Sequence, residues 1–300
     1  MTTSGLHWPE RENDMRHIKE LNTIEFDGLG ELGRCVRHLN STYRIRTERS
    51  DSSPKFYGPK TMQQQLACSA FGDLSIVESA QRILSKIQTE INIPASTWVD
   101  DVAGFFPCVP EALSGDPECM RQTEDQQSNT TPLNIFVDLA TSAGLTPDQI
   151  MRRGCAVLAL VMALTAIRPV SLRVGCLMGS NTEASGQKAG DEWCAVSAVI
   201  DTQPLDLARA AWALTDAGCA RRLFYGVGDT IGFDGAWPSF RGVPYGEVQS
   251  KKYIERSAEI FSLDGETLYL PPMCVVDQEI EMMIKRPTQW VNKKIAQFSA

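Results

Sequence analysis

The sequence predicts an α/β fold: a doubly wound, mostly parallel sheet in residues 131–300, preceded by an α+β region in residues 1–130. Three observations predict it. The apolar run Leu133 to Val137 ends in Asp138, the hydroxyls of Thr141 and Ser142, and Gly144, directly before a capped helix. Strand-like and helix-like segments then alternate as far as Thr215. The polar loops between them fall at strand ends, where an open α/β sheet usually holds its ligand.

In chain order, Met15 to His38 reads as short helical and extended pieces, with Gly28, Gly30 and Gly33 too close together for one uninterrupted helix. These glycines read as a turn, because Glu25-Phe-Asp-Gly-Leu-Gly supplies no convincing strand and helix around a phosphate loop. Thr61 to Cys68 and Ser75 to Ile91 read as helices. Residues 94–130 are rich in proline, glycine and acids, and Gln126 to Thr131 reads as a surface linker, so a domain boundary is placed near 130.

After the strand at 133–138, Thr146-Pro147-Asp148-Gln149 combines an N-cap hydroxyl, proline at N1 and glutamine at N3. The helix it opens runs to about Ile167, and Pro169 ends it before a strand over Val170 to Met178. A third strand covers Trp193 to Ile200, and a proline-started helix covers Leu205 to Thr215. A late strand is expected at Leu268 to Val276 and a closing helix at Trp290 to Phe298, with a long surface excursion over 228–250.

Of 300 residues, 43% are hydrophobic and 22% charged, enough for a real core and too apolar for general disorder. The net charge of -8 argues against wholesale coating of nucleic acid but leaves room for a local basic face. Nine cysteines without a C-x-x-C pair do not make a disulfide framework or a zinc ribbon. Cys155, Cys176, Cys194 and Cys274 read as buried thiols of a reducing, cytoplasmic compartment. The apolar stretch Cys155 to Ile167 is too short to span a bilayer, so no membrane partner is expected. All three histidines, His7, His17 and His38, precede residue 40, which leaves the later sheet without the commonest general base.

The string Asp138-Leu-Ala-Thr-Ser142 resembles the Asp-x-Ser-x-Ser that ends the first strand of von Willebrand factor A-type domains, which are doubly wound α/β folds. The acid and the last serine match; Ala140 stands at the middle serine. The resemblance implies a divalent-cation site on Asp138 and Ser142, completed by an acid and a threonine for which Asp201 and Thr202 are the nearest candidates. A second resemblance rests on Asp101 to Met120, Arg152 to Leu160 and Leu205 to Leu214, which look like a family of tailed bacteriophages and bacterial genomes mostly without assigned function. Among phages the chain is similar to accessory proteins of N4-like bacteriophages, which bind single-stranded DNA and recruit a phage RNA polymerase to promoters. That implies a non-enzymatic, cofactor-free protein.

Two sets of candidate residues follow. Between Arg34 and Lys60 stand Arg34, Arg37, Arg44, Arg46, Arg49, Lys55 and Lys60 against Glu48 and Asp51, interleaved with Tyr43, Phe56 and Tyr57. Such a mixture suits a groove that neutralises phosphates while rings stack on bases. The ligand edge of the sheet is expected to carry Asp138, Thr141, Ser142, Arg152, Arg153 and Thr202, where hydroxyls and the acid could equally hold the turn. Arg221 and Arg222 read as complements to a helix carboxyl terminus. A metal-dependent ligand-binding or hydrolytic protein and a protein-only adaptor remain the alternatives.

Overall fold

The structure is a computed structural model that describes residues 21–43, 54–73, 75, 98–101, 106–107, 120–123, 132–141, 144–165, 168–179, 193–231, 266–273 and 278–298. Its strands are β1 (Leu21–Phe26), β2 (Trp98–Asp101), β3 (Phe106–Pro107), β4 (Met120–Thr123), β5 (Leu133–Asp138), β6 (Val170–Gly179), β7 (Trp193–Ile200) and β8 (Thr267–Leu270). Its helices are α1 (Leu29–Tyr43), α2 (Pro54–Tyr57), α3 (Met62–Phe71), α4 (Pro147–Thr165), α5 (Leu207–Thr215), α6 (Tyr225–Ile231), α7 (Gln278–Lys285) and α8 (Pro287–Phe298). A π-helix, Cys219–Phe224, joins α5 to α6.

Five strands form a mostly parallel sheet in the order β1-β7-β6-β5-β8, so the molecule is α/β. Only the β6/β7 pair is antiparallel among its four neighbouring pairs. Strand β1 comes from the amino-terminal region and lies parallel to β7, with Leu21 opposite Trp193. Segments from both sides of residue 130 therefore contribute strands to this sheet. Within the acidic stretch 94–130, β2, β4 and β3 form a small antiparallel sheet in which Asp100 is paired in register with Arg121.

Alternation along the strands separates two faces. One carries Ile24, Phe26, Leu133, Ile135, Val137, Val170, Leu172, Val174, Cys176, Val196, Ala198, Ile200, Leu268 and Leu270, and the buried side chains of α1, α3, α4, α5, α7 and α8 join them in one core. The other carries Thr23, Glu25, Asn134, Phe136, Asp138, Ser171, Arg173, Ser197 and Tyr269. On this second face an Arg173–Glu25 ion pair at 2.9 Å spans β7, and the Phe136 ring stacks on Tyr269 with centroids 5.9 Å apart. A second helix layer, which double winding requires, is not found among the described residues.

Helix α4 is apolar nearly all round because it is enclosed on nearly all sides, with Arg153 to Val161 buried. It lies so close to α5 that a Cβ on Gly154 would stand 2.1 Å from the Leu214 carbonyl oxygen. Its cap is the one the sequence predicts: the Gln149 amide donates to Thr146 Oγ1 at 3.3 Å, and the Thr146 amide donates to Gln149 Oε1 at 2.9 Å. The same device opens α3, where Thr61 and Gln64 exchange both bonds. Of the expected helix over 75–91 only Ser75 is described, and it is helical; most of the excursion over 228–250 lies outside the described residues, and α6 enters it at its start.

The glycines after β1 are a correction. Gly30 and Gly33 sit inside one continuous helix, α1. A Cβ on Gly33 would fall 1.9 Å from Ser69 Oγ, so this glycine serves the close approach of α1 to α3 rather than a turn. A strand and a helix do flank the glycines. Just before α1 the Asp27 amide donates to Glu31 Oε2 in the helix's first turn, at 2.9 Å.

Candidate functional site: the carboxyl edge of β5

Strand β5 has β6 on one side and β8 on the other, which makes its carboxyl end the place where chain connections diverge. Asp138 is the last residue of β5 and is fully buried (0% exposed). Its Oδ1 accepts from the Ala140 amide at 2.8 Å, and its Oδ2 accepts from the Tyr269 hydroxyl at 3.3 Å. Arg153, in the second turn of α4, donates to the Asp138 carbonyl at 3.2 Å and to the Pro271 carbonyl at 2.7 Å. Burial pushes the Asp138 carboxyl up to about 7, against the Ala140 hydrogen bond and the Arg153 charge, which hold it down.

The loop after β5 is fastened from the π-helix. Arg221 Nε donates to Thr141 Oγ1 at 3.2 Å, and another of its nitrogens donates to the Leu145 carbonyl at 3.2 Å. Its third donor goes to the Phe56 carbonyl at 2.5 Å, and the guanidinium lies over the Phe56 ring, 4.2 Å from the centroid. The Thr141 amide donates to the Tyr225 hydroxyl at 3.1 Å. Arg222 stacks on Tyr57 in the same way, 4.6 Å from the centroid. Arg221, Arg222 and Tyr225 are all buried. Burial lowers the Arg221 pKa and raises that of Tyr225. These arginines, in the last turn of the π-helix as expected, also hold two rings and a loop. Their setting in the apolar stretch Cys219 to Tyr225 is the one sequence signal that could have revealed it.

Beside them lies a second buried polar hub. Asp216 accepts from Gln65 Nε2 at 2.9 Å, from the Gly218 amide at 2.8 Å and from Lys60 Nζ at 2.9 Å; Gln65 in turn accepts from Trp212 Nε1 at 2.9 Å. Lys60 also pairs with Asp73 at 2.9 Å. Burial works against the ammonium charge of Lys60, yet Asp216 and Asp73 outweigh it and its pKa is raised. Gln65 and Asp216 were invisible as a pair in the sequence, being 151 residues apart.

The expected nucleic-acid residues therefore divide. Tyr57 is buried under Arg222, and Lys60 is spent on two carboxylates, so both are corrected to structural roles. Arg34 and Arg37 are exposed on α1, in line with His38 and Ser41 and opposite the buried Leu32, Val36 and Leu39; Lys55 is exposed on α2. Tyr43 ends α1. Arg44, Arg46 and Arg49 lie outside the described residues.

The expected ligand edge divides as well. Asp138, Thr141 and Arg153 come together, and Ser142 lies outside the described residues. Arg152 is exposed and pairs with Asp148 on its own helix at 2.9 Å. Asp201 and Thr202 sit at the opposite edge. Strand β7 runs against β6, so its last residue, Ile200, faces Leu172 near the start of β6, while Asp138 is level with Gly175 and, through it, Ser197. Four residues of extended chain separate Ser197 from Asp201, about 13 Å. Thr202 Oγ1 donates there to the Val170 carbonyl.

Of the expected cation ligands, Asp138 and Asp201 are not brought together, and Ser142 lies outside the described residues. A hard cation needs several converging oxygens. Here Asp201 is remote, Ala140 offers no side-chain oxygen and the Thr141 hydroxyl already accepts from Arg221. Among the described residues no group of three His, Cys, Asp or Glu could hold a metal. The thiols are no better placed for chemistry. Cys155 and Cys176 are buried as expected, Cys68 and Cys219 likewise, and burial pushes the thiol of Cys155 up to about 12 and that of Cys68 up to about 11. Cys194 lies in β7, and Cys274 lies outside the described residues. No helix among the described residues is long and apolar enough to cross a membrane.

No curated protein and no solved structure matches the chain. A family model matches residues 13–281, and the chain belongs to the family described as Domain of unknown function (DUF7192).

Proposed function

We propose that this protein is a non-enzymatic bacteriophage transcription accessory protein that binds single-stranded DNA and recruits a phage RNA polymerase, acting in the host cytoplasm. The observation that carries the reading is the outward face of α1. Arg34 and Arg37 project from it into solvent three residues apart, at the head of a segment that continues through Arg44, Arg46 and Arg49 to Lys55. Exposed guanidiniums are free to displace counterions from phosphates, which is where most affinity for single strands arises.

The β5 edge supports a non-catalytic reading. Asp138 is enclosed, and its neighbouring arginines are engaged in holding carbonyls and rings. We read it as the degenerate counterpart of an A-type ligand edge, kept for the fold. The polymerase contact rests on the resemblance to the accessory proteins of N4-like phages, and the mechanism is linkage: one surface holds melted DNA, another the polymerase, and the effective concentration of polymerase at the start site rises.

Filter binding of oligodeoxynucleotides across a salt series tests this. Affinity should fall with salt, and the slope should flatten in Arg34→Gln/Arg37→Gln and in Arg44→Gln/Arg46→Gln/Arg49→Gln. Affinity that is absent, or indifferent to these substitutions, rejects the reading. Polymerase pull-down without DNA binding would leave a protein-only adaptor.

A further inference from the structure

We propose that α2 and the two described points Thr141 and Leu145 between β5 and α4 form one mechanical unit joined by Arg221, so that DNA bound beside α2 stiffens the backbone at those two points. The ligand in this statement rests on the single-stranded-DNA reading; the joint itself does not. One guanidinium bonds the loop at two points, the hydroxyl of Thr141 and the carbonyl of Leu145. The same guanidinium bonds the Phe56 carbonyl and rests on the Phe56 ring. Lys55, the exposed cation of α2, is the neighbouring residue, so a phosphate held there sits one residue from the joint.

The geometry makes the connection stiff. Arg221 is fully buried, and a planar guanidinium cannot leave one partner without disturbing the others. The Thr141 amide has its own bond to Tyr225, directly after the π-helix that carries Arg221, so displacement of the π-helix is transmitted to both polar groups of Thr141. Single-turn π-bulges often mark functional sites. In this chain a rearrangement of the π-helix would be read out at the loop.

Amide hydrogen exchange at Thr141 and Leu145 tests the joint, with Leu158 in the centre of α4 as the global control. Phe56→Ala removes the ring beneath the guanidinium and should speed exchange at Thr141 by about fivefold or more, the lower end of site-to-site couplings, with Leu158 unchanged. Unchanged exchange at Thr141 overturns the proposal whether or not DNA binds. In the wild-type protein, saturating oligodeoxythymidylate should slow exchange at Thr141, and Arg221→Lys should still bind the oligonucleotide yet lose the slowing. Binding without slowing in the wild type, or slowing that survives in Arg221→Lys, overturns the transmission. If no oligonucleotide binds, the DNA reading falls, and the Phe56→Ala result alone supports or overturns the joint.

Discussion

The outward face of α1 and the carboxyl edge of β5 are both rich in arginine, and they use it in opposite ways. Arg34 and Arg37 stand in solvent, while Arg153, Arg221 and Arg222 are enclosed and bonded to carbonyls, a hydroxyl and two aromatic rings. The contrast teaches that a guanidinium is a binding group only where water can be exchanged for phosphate. Where it is buried, its planar fork serves as a cross-brace between segments distant in sequence.

The largest test of that contrast is Arg221→Ala. It leaves the Phe56 and Leu145 carbonyls and the Thr141 hydroxyl without this donor, and unsatisfied buried polar groups are costly. Urea unfolding should show a loss of about 3 kcal/mol or more. A loss under about 1 kcal/mol, the net worth of one ordinary hydrogen bond, would mean that the edge is not braced by Arg221 and would erase the distinction.

Gly154→Ala comes next. Its methyl would meet the Leu214 carbonyl, which is backbone and cannot swing aside, so α4 and α5 must separate. The expected cost is about 2–3 kcal/mol, read as a lower denaturation midpoint at unchanged m-value.

Asp138→Asn sharpens the edge from the acid side. Because burial raises the folded carboxyl from its usual 3.8 to about 7, the folded state holds a proton that the unfolded state releases. The stability from that proton is complete below about pH 4 and is lost as pH rises towards 7, so wild-type stability should fall across this window. Asparagine keeps an acceptor for the Ala140 amide and does not ionise. The variant should flatten the dependence and exceed the wild type by about 2 kcal/mol at pH 8. A wild type that gains stability between about pH 4 and 7 at this site would show that the carboxylate is held charged.

The smallest effect on stability belongs to Arg34→Gln/Arg37→Gln, expected to shift unfolding by under about 0.5 kcal/mol, as exposed substitutions do. Its effect should appear in binding instead, as a salt slope for single strands shallower by about 0.7 for each phosphate no longer neutralised. A large stability loss with an unchanged slope would reverse the assignment of the two regions.

Much of the α/β half was legible because local rules govern it. The Thr146–Gln149 cap, the apolar run of β5, the stop at Pro169 and the strands β6 and β7 each follow from a few adjacent residues. Readings failed where a distant segment decided the outcome. Gly33 looked like a turn residue because Ser69, whose side chain its missing Cβ admits, is 36 residues away. Tyr57 and Lys60 looked like nucleic-acid contacts because Arg222 and Asp216, which claim them, lie more than 150 residues later. Asp201 looked like a partner for Asp138 because both end strands, and only the antiparallel β6/β7 pairing places them at opposite edges.

By itself the sequence determined the α/β class, the element types around residues 133–215, the burial of Cys155 and Cys176, and a basic amino-terminal segment. Periodicity, capping and composition act over a few residues and are written directly in the chain. Tertiary structure alone decided that β1 joins the main sheet, that the sheet's polar side chains gather on one face, and which arginines brace the molecule and which face solvent. Strand order and burial are settled by packing between segments far apart in sequence, and it is burial that turns the same side chain from a solvent-facing charge into a brace.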